Sequence, residues 1–178
     1  MMREMANKKY ALLDNDTTKS TYGDVTLFRI EAKKSFGTVK KGDKGGYIEK
    51  EGNLSADGKA WVADNARVSG DARIYDDAQV YGNAQVYHRA QVSGEAKVYG
   101  NARVNGSSRV YGNAKVYGNS ETYANAQIKD DAEVYDNAKV KGNAVIHGKA
   151  RIYGKGWVGL NQQIGGNEEV VKDIMGPF

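Results

Sequence analysis

A repeat of six residues runs through most of the chain. Aliphatic side chains recur at every sixth position from Val62 to Val158, and Thr122 is the one polar residue in that series. A small residue, usually Ala, stands two positions before each of them. Since side chains alternate along a β-strand, the small and the aliphatic residue of each unit share one face of a strand. The repeat therefore predicts a series of very short strands, each with one apolar face.

The residues that follow each aliphatic position predict a corner. Gly or Asp followed by Asn or Asp, as in Gly82-Asn83 and Gly112-Asn113, adopts positive φ and turns the chain sharply. A strand of three or four residues cannot bury its inward face alone, so the units must stack on one another. A helix is disfavoured because the apolar spacing drifts around a helical turn and Val and Tyr favour strands. The sequence thus predicts an all-β, parallel solenoid.

The unit 96–101, with the sequence Ala-Lys-Val-Tyr-Gly-Asn, shows the pattern most clearly. An aliphatic residue at the first place of the hexad and a small one at the fifth resembles the hexapeptide repeat of left-handed β-helix proteins. One difference is that Tyr often stands directly after the aliphatic residue, where the familiar repeat often has Gly. The resemblance implies a left-handed parallel β-helix with three hexads per triangular coil, and about five to six such coils between Val62 and Val158.

The two ends differ from the repeat and are predicted to cap it. Residues 1–57 form a small β-rich module with strands at 10–13, 25–30 and 46–49. Residues 58–160 form the β-helix, and residues 161–178 form a C-terminal cap. In that cap Asn167 is expected to begin a short helix over 168–175, which Gly176-Pro177 ends.

The segment 36–49, together with 53–55, resembles the lead-in of hexapeptide-repeat proteins from bacteriophages and prophages. This resemblance implies a viral or prophage origin, and therefore the cytoplasm of a bacterial host as the location. The chain has no cysteine, which excludes disulfides and thiolate zinc sites, and we expect no metal site of another kind. It has no apolar run long enough to cross a membrane, so we expect no membrane association.

Every eighteenth residue falls on the same face of a solenoid with three hexads per coil, and one outward position is uniform. It holds the tyrosines Tyr81, Tyr99, Tyr117, Tyr135 and Tyr153, which are expected to stack in a column. Stacking alone would stabilise parallel coils, but a rigid aromatic strip is also suited to a protein partner. Arg73 and Arg109, outward on another face, are further candidates for partner contact. The faces also fit self-association as a dimer or a trimer.

Two histidines, His88 and His147, raise the alternative of an enzyme. Many hexapeptide-repeat proteins are trimeric acyltransferases that bind coenzyme A between neighbouring prisms and use a histidine as general base. Neither histidine has an evident orienting partner, and no long loop interrupts the hexads to cover a substrate. We therefore expect a non-enzymatic scaffold for protein–protein interaction, without a cofactor, that acts on host machinery or defence systems. Nucleic-acid binding is a second alternative, which the net charge of only +4 does little to favour.

Overall fold

The computed structural model of the protein describes residues 9–172 and consists of β-strands with a single turn of 3₁₀ helix, Glu51–Asn53. Three longer strands come first: β1 (Tyr10–Lys19), β2 (Thr26–Ala32) and β3 (Lys44–Ile48). Strands of two residues then follow at intervals of six. They are β4 (Trp61–Val62), β5 (Arg67–Val68), β6 (Arg73–Ile74), β7 (Gln79–Val80), β8 (Gln85–Val86), β9 (Gln91–Val92), β10 (Lys97–Val98), β11 (Arg103–Val104), β12 (Arg109–Val110), β13 (Lys115–Val116), β14 (Glu121–Thr122), β15 (Gln127–Ile128), β16 (Glu133–Val134), β17 (Lys139–Val140), β18 (Val145–Ile146), β19 (Arg151–Ile152), β20 (Trp157–Val158), β21 (Gln163–Ile164) and β22 (Glu169–Val170).

The short strands build three parallel sheets, because each strand pairs with the strands one coil before and one coil after it. Val98 pairs with Val80 on one side and with Val116 on the other, a step of three hexads in each direction. The seven-stranded sheet contains every third strand from β4 to β22. Since each coil contributes one strand to it, these strands belong to seven successive coils. The nine-stranded sheet adds β1, β2 and β3 to β5 and its successors, and the six-stranded sheet runs from β6 to β21. The prediction of a parallel β-solenoid is confirmed; its handedness stays a prediction.

The core lies inside the prism and consists of stacked Ala and aliphatic side chains. Ala96 and Val98, for example, are completely buried, and so are their equivalents in the neighbouring coils. Each of these side chains packs against the equivalent residue of the next coil, so small side chains are sufficient to fill the narrow interior. The period seen in the sequence is therefore the period of the packing.

The corners need left-handed backbone, and every corner residue from Asp64 to Gly166 at the six-residue spacing has positive φ. Most are Gly or Asp, but Ala124 and Leu160 also adopt φ values of 61° and 54°. Side-chain amides link successive corners, as when Asn101 Nδ2 donates to Asn119 Oδ1 at 3.0 Å. The predicted corners are thus present, and they contain ladders of their own.

The N-terminal strands extend the nine-stranded sheet and close one end of the solenoid. β1 and β2 form an antiparallel hairpin, β2 pairs with β3, and β3 pairs in parallel with β5. Tyr22, between β1 and β2, stacks on Tyr87 with ring centroids 4.1 Å apart. The three strands expected in this region are all present, and β1 is longer than expected.

The C-terminal helix expected from residue 168 onward is wrong for the described residues. Glu169–Val170 instead form β22, in which Arg151 pairs with Glu169 and Ile152 with Val170. Ile164 and Val170 continue the six-residue series, so inter-coil hydrogen bonds are available to this segment that an isolated helical turn would forgo. Residues 173–175 of the expected helix lie outside the described residues.

In the part of the chain that the structure describes, the solenoid consequently has seven coils rather than five to six, and its repeat continues past residue 160. Within residues 9–172, the structure contains no helix with the length and apolar character to cross a membrane.

Candidate binding surface on the seven-stranded sheet

Five tyrosines, which we call the tyrosine column, stand beside the seven-stranded sheet. They are Tyr81, Tyr99, Tyr117, Tyr135 and Tyr153, and each directly follows a strand of that sheet. Successive ring centroids are 4.8, 4.8, 4.9 and 5.1 Å apart, with interplanar angles of 1° to 4°. The column expected from the three-hexad spacing is therefore present. Its role in binding a partner stays a prediction.

Stacking determines which parts of the rings a partner can reach. Each inner ring is covered on both faces by its neighbours, and all five side chains are half-buried. The ring edges and the hydroxyl groups therefore form the surface of the column. This arrangement offers a rigid strip that alternates apolar edge and polar group at the spacing of the coils.

The hydroxyls of Tyr81, Tyr99, Tyr117 and Tyr153 stay protonated at neutral pH, because the pKa of each is raised above its ordinary value. Partial burial, followed by the hydrogen bond to Glu133, raises the pKa of Tyr117. Partial burial also raises the pKa of Tyr81 and of Tyr99. A hydrogen bond to Glu169 raises the pKa of Tyr153.

The charges next to the column are mostly paired between coils. Lys115 Nζ lies 2.9 Å from Glu133 Oε1, and Tyr117 Oη donates to Glu133 Oε2 at 3.0 Å. Partial burial raises the pKa of Glu133, but these hydrogen bonds outweigh it, so that the pKa lies below its ordinary value. Arg151 and Glu169 repeat the pairing at 3.4 Å further along the sheet. This face is thus less basic than its lysines and arginines alone suggest.

A groove of about 580 Å³ opens at the first ring of the column. One wall is the tight turn at residues 36–39, where Phe36 and Val39 pair with each other. Trp61, Ala63 and Tyr81 provide further parts of the lining, and the Phe36 and Trp61 rings meet edge to face at 5.4 Å. The groove therefore joins the N-terminal module to the tyrosine column.

Charged side chains surround this aromatic lining. Lys59 Nζ lies 3.5 Å from Asp77 Oδ2, and the Lys59 amide donates to Asp77 Oδ1 at 2.9 Å. Asp64 accepts a hydrogen bond from the Gly82 amide at 2.9 Å. Glu95 and Lys97 complete the charged lining and are exposed. Three carboxylates thus face two ammonium groups in the groove.

The predicted arginines lie on a different face from the tyrosine column. Arg73 and Arg109 are exposed on β6 and β12 of the six-stranded sheet. Their neighbours there include Tyr75 and Tyr111, whose hydroxyls donate to glutamine side chains one coil further on. The structure brings the five tyrosines together and leaves the two arginines outside that surface.

The two histidines do not form one site. His88 is an exposed corner residue with φ 60°, and its ring meets the edge of Tyr87 at 4.9 Å. It lines a shallow groove with Asp71 and Arg89. His147 is half-buried and follows β18 in the six-stranded sheet. The two residues are separated by about three coils, roughly 14 Å along the axis at the usual strand spacing.

The groove was not predicted from the sequence. Its aromatic members belong to different parts of the chain, since Phe36 lies in the N-terminal module and Trp61 in the first coil strand. The one available signal was Ala63, which occupies the tyrosine position of the column in the coil before Tyr81. Within residues 9–172, no group of three His, Asp or Glu side chains is placed to hold a metal ion.

Comparison with known proteins supports the repeat architecture. The family described as the YdcK beta solenoid repeat matches residues 78–94 and 96–112. These two matched segments cover about a fifth of the chain and lie in the coils that contain Tyr81 and Tyr99. The chain is similar to that family over these coils, and it is a β-helix repeat protein. No curated protein matches the chain.

Proposed function

We propose that this chain is a non-enzymatic scaffold that binds a protein partner through the face with the tyrosine column. The observation that carries the proposal is the column itself, five half-buried rings held parallel at 4.8 to 5.1 Å. On the other two faces the same hexad position varies from coil to coil, as at Ser69, Tyr87 and Asn105 on the nine-stranded sheet. A uniform column is the feature that a partner with matching periodicity could recognise.

The physical basis is the low entropic cost of using these side chains. A tyrosine has few rotamers to restrict, and stacking has already restricted them before any partner arrives. The ring edges supply apolar contact area, and the neutral hydroxyls supply hydrogen bonds without the cost of desolvating a charge. Pairing of Lys115 with Glu133 further lowers the charge that an interface here would have to bury.

The partner we propose is a protein of a bacterial host, either host machinery or a defence component. This part of the proposal rests on the resemblance of residues 36–49 and 53–55 to the lead-in of bacteriophage and prophage hexapeptide-repeat proteins. On the same basis we propose the cytoplasm of the bacterial host as its location. Association of two or three copies through the same face is a competing outcome of the test below.

The test replaces part of the column and compares it with a matched change on another face. Tyr99→Ser with Tyr117→Ser removes two inner rings, and Tyr75→Ser with Tyr111→Ser removes two tyrosines from the same hexad position on the six-stranded sheet. Quantitative affinity capture from a bacterial lysate and the melting temperature are measured for both double variants. We expect the column variant to bind its partner at least about 10-fold more weakly, while the control binds it as the wild-type chain does.

Equal capture by the two variants would contradict the proposal, and so would a loss that follows the melting temperature in both. Sedimentation analysis of the wild-type chain tests self-association, and a dimer or trimer lost only in the column variant would identify the partner as a second copy.

The acyltransferase alternative predicts saturable binding of coenzyme A in calorimetry, lost in His88→Ala or His147→Ala. The nucleic-acid alternative predicts binding that weakens steeply as salt is added. Either result would overturn the proposal.

A further inference from the structure

The tyrosine column lacks one ring at the end that faces the N-terminal module. Tyr81 is stacked on Tyr99 at 4.8 Å, and one coil earlier the same position is Ala63. A ring at that position would stack on Tyr81 as Tyr81 does on Tyr99. Ala63 and Tyr81 both line the groove, so the place of the absent ring lies within it.

The surroundings of that place are suited to a ring. Trp61, which is 7% exposed, and the half-buried Phe36 line the groove, and their mutual edge-to-face contact holds both rings in position. The volume of about 580 Å³ is within the usual range of ligand pockets, about 300 to 1,000 Å³. A side chain entering here would meet one aromatic face and further aromatic edges.

The charges around the groove are balanced. Asp64, Asp77 and Glu95 line it together with Lys59 and Lys97, and the Lys9 ammonium lies 4.8 Å from the centroid of the Phe36 ring. Lys59 is paired with Asp77 at 3.5 Å. With no excess of either sign, the aromatic lining determines the occupant, and a neutral ring fits it.

We propose that the groove at Ala63 and Tyr81 binds an aromatic side chain of the protein partner, which stacks on Tyr81 and continues the tyrosine column. This inference rests on the proposed function and deepens it, since it assigns the anchor of that interface. Aromatic anchors in preformed pockets are a common source of binding energy in protein–protein contacts. The column then positions the partner, and the groove holds its anchor.

The first test uses single aromatic residues as probes. N-acetyl-phenylalaninamide is titrated into the isotope-labelled chain, and backbone amide shifts are followed by NMR. We expect saturable shifts at Gly37, Ala63 and Tyr81 with a dissociation constant of about 1 mM, a strength suited to one side chain. N-acetyl-leucinamide should bind at least about 5-fold more weakly, because it has no ring to stack on Tyr81. Shifts that do not saturate, or equal binding of the leucine compound, would overturn the inference.

The second test fills the groove from within the chain. Ala63→Tyr would supply the missing ring, and we expect it to abolish binding of the probe. The matched control is Asn105→Tyr, which adds a ring at the same hexad position on the nine-stranded sheet between Tyr87 and Tyr123. Should Ala63→Tyr fail to fold, Tyr81→Ser removes the stacking surface instead and is expected to weaken probe binding by at least about 5-fold. Probe binding that persists in the folded variants contradicts the inference.

The two proposals fail separately in the capture experiment. If partner binding requires Tyr99 and Tyr117 but is unchanged by Ala63→Tyr, the column is the interface and the anchor site is wrong. If the probe binds the groove but partner binding does not depend on Tyr99 and Tyr117, the groove is real and the proposed function is wrong. Loss of partner binding in Ala63→Tyr and in the column variant, but not in Asn105→Tyr, supports both.

Discussion

The coils and the N-terminal module are stabilised in opposite ways. In the coils each contact recurs with every third hexad, so that Val98 has the same neighbours one coil up and one coil down. In the module each contact is made once. Lys9 Nζ donates to the carbonyls of Ala60 at 2.7 Å and Ser55 at 3.1 Å, and Tyr10 Oη donates to the carbonyl of Leu54 at 2.7 Å. A single substitution in the coils therefore perturbs one of many equivalent contacts, whereas in the module it removes a contact with no equivalent.

Gly45, which lies where the module contacts the first coil, should be the position most sensitive to substitution. A Cβ on Gly45 would lie 2.5 Å from the Val62 carbonyl oxygen and 2.7 Å from the Trp61 ring. Gly45→Ala must therefore move backbone, and we expect a loss of about 3 kcal/mol in the free energy of unfolding. In the coil control, Gly100→Ala, the added Cβ lies 3.0 Å from the Gly118 amide nitrogen at φ 69°. There we expect about 1 kcal/mol, the net cost of a left-handed residue with a Cβ together with this tight contact. Chemical denaturation measures both, and an equal cost would remove the distinction between the two regions.

Lys9 provides the next largest effect. Its side chain is 1% exposed and also donates to the Asp57 carbonyl at 3.4 Å. Lys9→Met keeps the length of the side chain but leaves carbonyls without this donor, and we expect a loss of about 2 kcal/mol. Hydrogen exchange should show faster opening of β1 and β2, with β13 unchanged. Uniform destabilisation of all coils would show that the module and the solenoid unfold as one unit.

The same lysine makes the module pH-sensitive. Burial, with a smaller contribution from Lys34, lowers the pKa of Lys9 to about 8, while Asp57 and Asp77 oppose the shift. The folded state therefore releases a proton at lower pH than the unfolded chain, whose lysine has its ordinary pKa of 10.5. The contribution of Lys9 to stability then rises as the pH increases from about 8 toward 10.5, and it is level below 8, where both states hold the proton. We therefore expect the difference in unfolding free energy between the wild-type chain and Lys9→Met to be larger at pH 9.5 than at pH 7. A difference that stays constant or shrinks would contradict this prediction.

Thr122 is the one polar side chain in the aliphatic series, and its replacement should stabilise the coils. Its hydroxyl is buried and has no hydrogen-bond partner among residues 9–172. Thr122→Val keeps the shape and removes the unsatisfied group, so we expect a gain of about 1.5 kcal/mol. Ser120 is the control, because its buried hydroxyl donates to the carbonyls of Tyr117 at 2.8 Å and Val134 at 3.2 Å. Ser120→Ala should bring no gain, and a gain of similar size in both variants would show that hydrogen bonding does not explain the effect.

The contrast between the two regions also explains what could be predicted from the sequence. The coils were predictable because their packing period is a sequence period, so that counting three hexads from Tyr81 reaches Tyr99 without any knowledge of three-dimensional contacts. The groove was not, because it depends on where the turn at Phe36 packs, and no periodicity specifies that. The expected C-terminal helix is wrong for the described residues because a local cap at Asn167 competes with the six-residue ladder that Val170 continues, and pairing with Ile152 in the previous coil prevails.

The smallest effect on stability is expected at Leu160, where a corner with left-handed backbone is occupied by a bulky residue. Leu160 adopts φ 54° at a corner, and its side chain is 72% exposed. Left-handed backbone costs a residue with a Cβ about 1 to 2 kcal/mol, but a glycine there loses about 0.5 to 1 kcal/mol of backbone entropy on folding. Leu160→Gly should therefore stabilise the chain by only about 0.5 kcal/mol. Ala124 has φ 61° in the same corner column. Ala124→Gly should give a similar gain, because the expected gain in both variants comes from the backbone conformation alone. A loss in Leu160→Gly with a gain in Ala124→Gly would show that the leucine side chain stabilises the fold through a contact that outweighs the cost of its backbone conformation.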